Sequence, residues 1–196
     1  MKISMMGRVD HVSGLKDPQR RDISLQILKL TDVPDTVRML SRLSASTRRF
    51  FRGLQTMRFF DRVRTSLLLG ISCSPLGRLI WIVLGHGFDW VIVRDDFEVI
   101  ALGFLALNDS ASKSLVSTLG IVVSDKSQSK GIGSLLMKVL IERARVKGVK
   151  ELSLEVDSCN AKAIALYRKF GFEGILKREE IVGKEFIDVL RMVLLI

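Results

Sequence analysis

A short glycine-bearing segment, residues 128–134, has the residue types needed to bind an anionic group. Gly131 and Gly133 lack a Cβ atom, so a ligand could approach the backbone closely, and Lys130 adds a positive charge. The segment precedes a predicted helix, whose first N–H groups have no partner within the helix and carry the positive end of its dipole. A plain strand-to-helix turn would use the same residues, so the glycines alone leave both interpretations open.

The flanking periodicity predicts the elements that would hold this loop. Residues 119–123 form an apolar, largely β-branched run, which predicts a strand ahead of the loop. After the loop, apolar residues recur with the spacing of a half-buried helix, at Ile132, Leu135, Leu136, Val139 and Leu140. Residues 152–157 then alternate apolar and polar side chains as a strand does, and a short helix is predicted between Asn160 and Gly171.

Two nucleotide-binding motifs can be compared with the loop directly. The P-loop requires GxxxxGK[ST], and the chain contains no such run. The dinucleotide fingerprint GxGxxG requires a third glycine at the position where Leu136 stands. Both interpretations are therefore weak.

The motifs together resemble those of the GCN5-related N-acetyltransferase family. The coenzyme A loop of that family is Q/R-x-x-G-x-G/A, and residues 128–133, QSKGIG, fit it. The family's next motif is an Asn, a Tyr seven residues later and then a Gly-Phe pair, which correspond to Asn160, Tyr167, Gly171 and Phe172. The specific motifs cover the C-terminal half of the chain, whereas the N-terminal half agrees only in the order of its elements.

The resemblance implies both a fold and an activity. The fold is a mixed α/β (α+β) domain with a mostly antiparallel central sheet, flanked by helices and splayed at the acetyl-CoA site. We expect this domain over residues 23–196, after an N-terminal tail or short added element over residues 1–22. The activity is transfer of an acetyl group from acetyl-CoA, as co-substrate, to a primary amine by direct attack in a ternary complex, with no metal.

The resemblance also implies which residues hold the coenzyme. The loop would bind the pyrophosphate through backbone N–H groups, and the strand end 121–123 would bond the pantetheine arm. A backbone N–H on that strand would polarise the thioester carbonyl, and Asn160 would contact the same arm. The full expected set is Ile121, Val122, Val123, Gln128, Ser129, Lys130, Gly131, Ile132, Gly133, Ser134, Asn160 and Tyr167.

Two residues are catalytic candidates by the same resemblance. Tyr167 is the only tyrosine of the chain and stands where the family places its general acid, since a phenol can protonate a leaving thiolate. Glu155 matches the base of the branch that acetylates protein N-termini, such as the ribosomal-protein alanine acetyltransferases. Each also has a structural interpretation, as an aromatic on a helix stripe and as a polar residue on an exposed strand face. Glu151 and Asp157 are lesser candidates for the base.

The sequence does not identify the acceptor amine. The coenzyme-binding half of the site would be the same for a protein or peptide N-terminus and for a small-molecule amine, such as an aminosugar, a polyamine or an antibiotic. Two other classes of function are a coenzyme A-binding module without catalysis and a nucleic-acid-binding protein. The presence of both the loop and Tyr167 argues against the first of these, and we expect no specific nucleic-acid partner.

The composition indicates one globular domain. The chain has 196 residues, 47% hydrophobic and 27% charged, which is enough to enclose a full core. Two cysteines without a CxxC pair provide no disulfide framework, and two histidines exclude a histidine-rich metal site. We interpret Cys159 as structural, because no histidine lies near it in the sequence. With no signal-peptide pattern, these features favour a reduced, cytoplasmic setting.

The first half of the chain contains two unusual segments. Most of the net charge of +10 lies in residues 1–65, and residues 44–64 are rich in Arg and Phe. Such residues can bind single-stranded nucleic acid, but core phenylalanines with solvated arginines are the more common arrangement. The family resemblance implies that this region borders the acceptor site. The apolar residues 66–87 are interrupted by Pro75, Gly77 and Arg78, which favours a buried or interface role, compatible with a homodimer, over a membrane span.

The remaining elements follow from simple patterns. A first strand is predicted over residues 23–30, followed by a helix capped by Thr31 and Asp32, with Pro34 in its first turn. The apolar face of this helix is expected at Val37, Leu40 and Leu43. A β-hairpin is predicted over residues 90–107, a strand over 115–123, and two final strands over 175–182 and 185–196.

Overall fold

The computed structural model describes residues 11–16, 22–50, 74, 86–96, 98–108, 116–182 and 185–196. Within these residues the chain forms eight strands and four α-helices. The strands are β1 (His11–Lys16), β2 (Asp22–Ile27), β3 (His86–Asp95), β4 (Glu98–Asn108), β5 (Val116–Val123), β6 (Glu151–Asp157), β7 (Glu173–Val182) and β8 (Glu185–Leu195). The helices are α1 (Val33–Ser41), α2 (Ala45–Phe50), α3 (Ile132–Val146) and α4 (Ala161–Lys169).

All eight strands belong to one sheet, in the order β1-β2-β3-β4-β5-β6-β8-β7. Every neighbouring pair is antiparallel except β5 and β6, which are parallel. A parallel pair needs a crossover connection, and α3 supplies it here. The expected mixed, mostly antiparallel sheet flanked by helices is confirmed.

The parallel pair β5–β6 is short and opens into a split. Only Val116, Ser117 and Thr118 of β5 pair with β6, opposite residues 151–153. Beyond them, β5 stays paired with β4 and β6 stays paired with β8, so the two inner edges diverge. The sheet therefore has a gap between the C-terminal ends of β5 and β6, as the family resemblance implied.

Helices α3 and α4 cover one face of the sheet. Leu136, Met137 and Leu140 of α3 are completely buried and share a core with Leu152 and Leu154 of β6. Burial of each such side chain contributes roughly 1.5–3 kcal/mol. The helical stripe predicted from the sequence is thus the face that α3 presents to the sheet.

Helix α1 covers part of the opposite face. Leu40 of α1 is buried in one core with Trp90 of β3 and Phe104 of β4, as expected for the apolar side of this helix. Leu43 joins the same core, but it lies just after α1 and not on the helix as predicted. The rings of Trp90 and Phe104 lie with their centroids 5.1 Å apart, a spacing at which aromatic pairs attract each other. Val122 of β5 belongs to this second core, so β5 contributes to both.

A buried ion pair fixes the C-terminal half of α3 against β3. Arg143 donates two hydrogen bonds to the Asp89 carboxylate, of 2.8 and 2.9 Å, and each residue is about 7% exposed. Lys147 lies 3.6 Å from the same carboxylate. This bidentate geometry is what a buried pair needs to offset the cost of desolvation.

The predicted order of elements from β3 onward is confirmed, and the bounds agree to within a few residues. The first predicted strand, residues 23–30, is too long: β2 ends at Ile27, and Leu30–Asp32 forms a 3-10 turn. The Asp32 carboxylate accepts the Lys29 N–H at 3.0 Å, which turns the chain before α1. Within residues 1–22, β1 pairs with β2 at the edge of the sheet.

The two unusual N-terminal segments are described only in part. Residues 45–50 of the Arg- and Phe-rich segment form α2. The rest of that segment from residue 51, and nearly all of the apolar segment 66–87, lie outside the described residues. Within the part of the chain that is described, no helix is long and apolar enough to span a membrane.

Candidate active site

The loop between β5 and α3 ends in a backbone conformation that favours glycine. Gly131 is the N-cap of α3, with φ 78° and ψ −6°, which is left-handed. Because glycine has no side chain, no side-chain hydrogen bond caps the helix at this residue. The first N–H groups of any helix lack partners within the helix. The loop therefore presents N–H donors and the positive end of the helix dipole, the arrangement that binds an anion.

Gly133 lies at a closely packed position, a feature that the sequence did not indicate. A Cβ atom at this position would lie 3.2 Å from Cδ2 of Leu166 and 3.8 Å from Cδ1 of Ile121. The first turn of α3 therefore lies directly against α4 and the end of β5. This contact brings three of the expected coenzyme-binding elements together.

The other residues of the loop differ in how firmly they are held. Ile132 is 1% exposed and anchors the first turn of α3 in the core. Ser129 is exposed with φ 59°, and Ser134 is half-buried at the third position of α3. The Lys130 ammonium donates to the Lys126 carbonyl, within the loop itself.

Gln128 connects the loop to its surroundings through its side chain. Its amide nitrogen donates to the Val123 carbonyl at 3.2 Å and to the Thr47 hydroxyl at 3.0 Å. The first bond closes the loop onto the end of β5, and the second attaches it to α2. A side-chain role in shaping the loop thus accounts for the glutamine of the motif.

The end of β5 exposes its backbone edge rather than its side chains. Ile121 and Val123 pack against the core under α3, and Val122 is buried in the core under α1. Because β6 has diverged at this level, the edge of β5 that faces the split has no partner strand among the described residues. This edge has the geometry needed to bond an extended ligand in the manner of an added strand.

Asn160 is the N-cap of α4. Its side-chain oxygen accepts the Ala163 N–H at 3.2 Å, which satisfies one donor of the first turn. The side chain is half-buried beside the end of β6. Its oxygen is therefore occupied by capping, and its NH2 group is the part that would contact a ligand.

Tyr167 lies in the core under α4, only 8% exposed, with its ring 6.1 Å from that of Phe172. Burial raises the pKa of the phenol to about 12, because the charged form is disfavoured away from water. Its hydroxyl makes no hydrogen bond within the described residues. The phenol is thus kept protonated as a hydrogen-bond donor, and transfer of its proton requires a strongly basic acceptor, such as a desolvated thiolate.

Glu155 occupies the middle of β6 and is half-buried. Its carboxylate lies 2.8 Å from the Arg178 guanidinium of β7, in an ion pair whose side chains are 30% and 45% exposed. This partner is a feature that the sequence did not indicate. The ion pair restrains the position of the Glu155 carboxylate.

The two catalytic candidates lie on opposite faces of the sheet. Leu154 and Val156 point into the core under α3 and α4, so the alternating Glu155 points to the other face. Tyr167 belongs to the core under α3 and α4. A reacting group in the split between β5 and β6 would therefore lie between a carboxylate on one face and a phenol on the other.

The lesser candidates differ in position. Glu151 stands at the start of β6, where β5 and β6 are still paired, and lies 4.0 Å from Arg191. Asp157 stands at the open end of β6 and is completely buried. Its Oδ1 accepts the Cys159 N–H at 2.9 Å, and its Oδ2 lies 3.4 Å from Nε of Arg49. Cys159 itself is an exposed free thiol.

A hydrogen-bond network between α2 and the loop was not anticipated. The Asp125 carboxylate accepts the Ser44 N–H and hydroxyl, both at 2.8 Å, and the Thr47 hydroxyl. Burial acts to raise the pKa of Asp125, but the hydrogen bonds from Thr47 and Ser44 outweigh it and hold this pKa below its usual value. About 80 residues separate the partners, so no local pattern could have revealed the contact.

A cavity of about 460 Å³ lies beside the loop, between α1, the β3–β4 turn and the segment after β5. Its lining includes Arg42, Glu98 and Lys130, with basic and acidic side chains in equal number. Glu155, Asn160 and Tyr167 do not line it. The cavity therefore adjoins the anion-binding loop but is separate from the split where the catalytic candidates meet.

Comparison with known proteins identifies one family. A model of the acetyltransferase (GNAT) family matches residues 64–172. A search of curated proteins finds no match.

Many solved structures share the fold at low sequence identity, as the following three show. A GNAT acetyltransferase from Streptococcus pneumoniae has a TM-score of 0.69 and 23% identity, covering 89% of this chain and 99% of its own. The ribosomal-protein-S18-alanine N-acetyltransferase of Escherichia coli has a TM-score of 0.61 and 21% identity, covering 88% of this chain and 93% of its own. A Salmonella typhimurium acetyltransferase solved with acetyl-CoA has a TM-score of 0.63 and 17% identity, covering 88% of this chain and 93% of its own.

Proposed function

Since this chain belongs to the acetyltransferase (GNAT) family, we propose that it transfers an acetyl group from acetyl-CoA to a primary amine. One observation carries this proposal. The glycine-capped start of α3 and the split between β5 and β6 adjoin each other, and Gly133 is in contact range of both β5 and α4. An anion site beside an open strand edge fits a ligand with a pyrophosphate and an extended amide-bearing arm.

The residues of the chain have distinct roles in this proposal. The start of α3 would hold the pyrophosphate, while the open edge of β5 and the NH2 group of Asn160 would bond the pantetheine arm. Acetyl-CoA supplies the activated acetyl group. An N–H of β5 would polarise the thioester carbonyl, where negative charge develops during attack.

Proton transfer would involve the two faces of the split. Glu155 would take a proton from the attacking amine, directly or through water, and Arg178 would hold its carboxylate in place. Tyr167 would donate a hydrogen bond, and then its proton, to the departing sulfur from the opposite face. The amine would thus enter on the Glu155 side and the thiol would leave on the Tyr167 side.

We propose a peptide N-terminus as the first acceptor class to examine. The match of residues 153–173 to the branch that acetylates protein N-termini supports this choice, and a similar fold occurs in an enzyme named for acetylation of a ribosomal-protein alanine. Small-molecule amines are the alternative, because the coenzyme half of the site is the same for both.

The coenzyme site can be tested by placing a negative charge at Ser134. A glutamate at the third position of a helix interacts favourably with the positive end of the helix dipole, so the Ser134→Glu variant should fold normally. Its negative charge should repel the pyrophosphate. We expect the wild type to be stabilised by acetyl-CoA by roughly 2.7 kcal/mol at a hundred times its Kd, and the variant to show little stabilisation. The measurement is a thermal-shift titration.

Ser134→Gln is the matched control, since it adds the same bulk without charge. It should retain most of the stabilisation. Equal shifts for wild type and Ser134→Glu would contradict the assignment of the loop. Thiol release in the presence of a peptide with a free N-terminus, compared with the same peptide N-acetylated, then tests the acceptor.

A further inference from the structure

The cavity beside the loop has an apolar wall and the size of a small-molecule site. Its volume of about 460 Å³ falls within the range of roughly 300–1,000 Å³ that is common for such sites. Gly131 and Gly133, which belong to the proposed pyrophosphate site, do not line it. Its lining includes four buried apolar residues, Met39, Leu43, Val99 and Ile100.

The carboxylates that line the cavity already have partners in the protein. One oxygen of Asp35 accepts a hydrogen bond from Arg38, and the other accepts one from a guanidinium of β3, both at 2.8 Å. Both oxygens of Asp125 accept hydrogen bonds from residues at the start of α2. Asp95 also has a partner. Glu98, which is 74% exposed, lies 3.3 Å from a guanidinium at the end of α1.

The cationic side chains of the lining are engaged much less. The Lys126 ammonium is exposed and makes no hydrogen bond or ion pair within the described residues. The Lys130 ammonium donates to a neutral acceptor, the Lys126 carbonyl. Arg38 bonds Asp35 through one nitrogen, Nη1, although a guanidinium has five N–H donors. The unused hydrogen-bonding capacity of the cavity is therefore cationic, and it favours a ligand with anionic oxygens.

We propose that this cavity binds a small organic anion, a phosphate ester or a carboxylate, that carries an apolar group. Lys126, Lys130 and Arg38 would bind the anionic group, and Met39 and Val99 would contact the apolar group. The coenzyme contains phosphates of the same chemistry. We assign the cavity to a separate molecule, because the glycines of the proposed pyrophosphate site lie outside its lining.

The ligand of the cavity should also affect the coenzyme, a consequence that rests on the proposed function. Lys126 and Lys130 belong to the segment that leads into the N-terminus of α3. An anion bound to these lysines would neutralise positive charge beside the proposed pyrophosphate site. We expect it to weaken acetyl-CoA binding by roughly fivefold, and acetyl-CoA to weaken its binding by the same factor. High salt should reduce this coupling, because exposed charges are screened.

The first experiment is a calorimetric titration of the full-length protein with phenyl phosphate, which combines an anionic and an apolar group. Inorganic phosphate and benzyl alcohol are the matched probes that lack one group each. We expect phenyl phosphate to bind more tightly than inorganic phosphate, and benzyl alcohol to show no measurable binding. Absence of phenyl phosphate binding at millimolar concentration would overturn the site, and equal affinities for the two phosphates would overturn the apolar contact.

Variants of the cationic lining test where the probe binds. Lys126→Gln and Arg38→Gln should each weaken phenyl phosphate binding by roughly tenfold, the factor expected for loss of a charge-assisted hydrogen bond. Both positions are exposed, so the fold should be kept. Lys138→Gln is the matched control, because it removes the same charge from an exposed position of α3 that does not line the cavity. Equal effects of Lys126→Gln and Lys138→Gln would show non-specific charge attraction and overturn the site.

Titrations in the presence of acetyl-CoA distinguish the possible sources of the anion. At saturating acetyl-CoA, phenyl phosphate should still bind, with the affinity reduced by the coupling alone. Complete block by acetyl-CoA but not by its 3′-dephospho form would assign the cavity to the coenzyme's own 3′-phosphate. Complete block by both forms would place the probe in the pyrophosphate site. Either result would overturn a separate ligand.

Failure of this inference can be distinguished from failure of the proposed function. If acetyl-CoA causes no thermal shift, the proposed coenzyme site is wrong, and the phenyl phosphate titrations of wild type and Lys126→Gln still test the cavity. If acetyl-CoA binds and the wild type gives no phenyl phosphate signal, the cavity site is wrong and the coenzyme site stands.

Discussion

Single residues at this site have roles that depend on their surroundings. The environment of Tyr167 is apolar, and burial raises the pKa of its phenol to about 12. The Glu155 carboxylate is instead paired with the Arg178 guanidinium. In the proposed reaction the phenol is the proton donor on one face of the split, and the carboxylate is the proton acceptor on the other.

The phenol can be tested by removing its hydroxyl alone. We expect Tyr167→Phe to lower kcat by roughly a hundredfold or more, the contribution typical of a positioned proton donor, while the acetyl-CoA thermal shift is retained. Because the ring remains in place beside Phe172, the fold should be kept. Steady-state kinetics with the peptide probe measures this, and an unchanged kcat would leave Tyr167 as a packing residue.

The raised pKa of Tyr167 predicts how stability depends on pH. The folded pKa of about 12 exceeds the value of about 10 expected for the unfolded chain, so the unfolded state loses its proton first. The contribution is fully present below pH 10 and falls as pH rises toward the folded pKa, by roughly 2 kcal/mol at pH 12.

The chain offers a direct measurement, because it contains one tyrosine. Ultraviolet titration of the folded protein should show phenolate forming near pH 12 instead of near pH 10. Urea unfolding of Tyr167→Phe, compared with wild type above pH 10, isolates this contribution from those of the lysines. A phenolate midpoint at the free-tyrosine value in folded protein would contradict the burial of the hydroxyl.

At the scale of elements, α3 is the part that connects the site to the rest of the sheet. Its first turn forms the proposed anion site, its middle fills the core with Leu136 and Leu140, and its last turns are tied to β3 through Arg143 and Asp89. The position of this proposed site therefore depends on contacts several turns away. Loss of the Arg143–Asp89 ion pair should therefore lower the free energy of unfolding and have a smaller effect on the rate of the reaction.

We expect Arg143→Ala to reduce the free energy of unfolding by roughly 3–5 kcal/mol, because it leaves the Asp89 charge buried without its bidentate partner. Arg145→Ala is the matched control, since Arg145 is 56% exposed and its carboxylate partner, Glu142, lies 3.7 Å away on the same helix. That change should cost less than about 1 kcal/mol. Urea unfolding measures both, and equal costs would mean that the Asp89–Arg143 pair is not buried as described.

At the scale of the whole molecule, the two cores share the same sheet. Leu119 of β5 is buried on the α3 face, and Val122 of the same strand is buried on the α1 face. Neither core can lose its strands without disrupting the other. We therefore expect the described sheet to unfold as one cooperative unit, in spite of the split between β5 and β6.

Trp90 can report this cooperativity from the α1 face. The chain has two tryptophans, so Trp81→Phe leaves Trp90 as the only one. Its fluorescence should change at the same denaturant concentration as the absorbance of Tyr167, which belongs to the other core, and as the far-ultraviolet circular dichroism. Separate midpoints would show that the faces unfold independently.

The sequence by itself determined the parts of this protein that depend on local patterns. The helical stripe of α3, the alternation of β6, the caps at Gly131 and Asn160 and the hairpin β3–β4 follow from spacing along the chain, since such elements form from neighbouring residues. The spacing of Gln128, Gly131, Asn160 and Tyr167 also indicated the family and the coenzyme loop, because that motif lies within one continuous segment.

Only the tertiary structure decided how distant residues meet. The packing of Gly133 against Leu166, the Arg178 partner of Glu155, and the attachment of α2 to Asp125 and Asp157 join residues from different elements. Side-chain contacts between elements depend on strand order and on the angle at which β5 and β6 diverge, and neither leaves a local pattern. For this reason the glycine-capped loop and the elements that flank it could be predicted from the sequence, and the contacts of α2 with Asp125 and Asp157 could not.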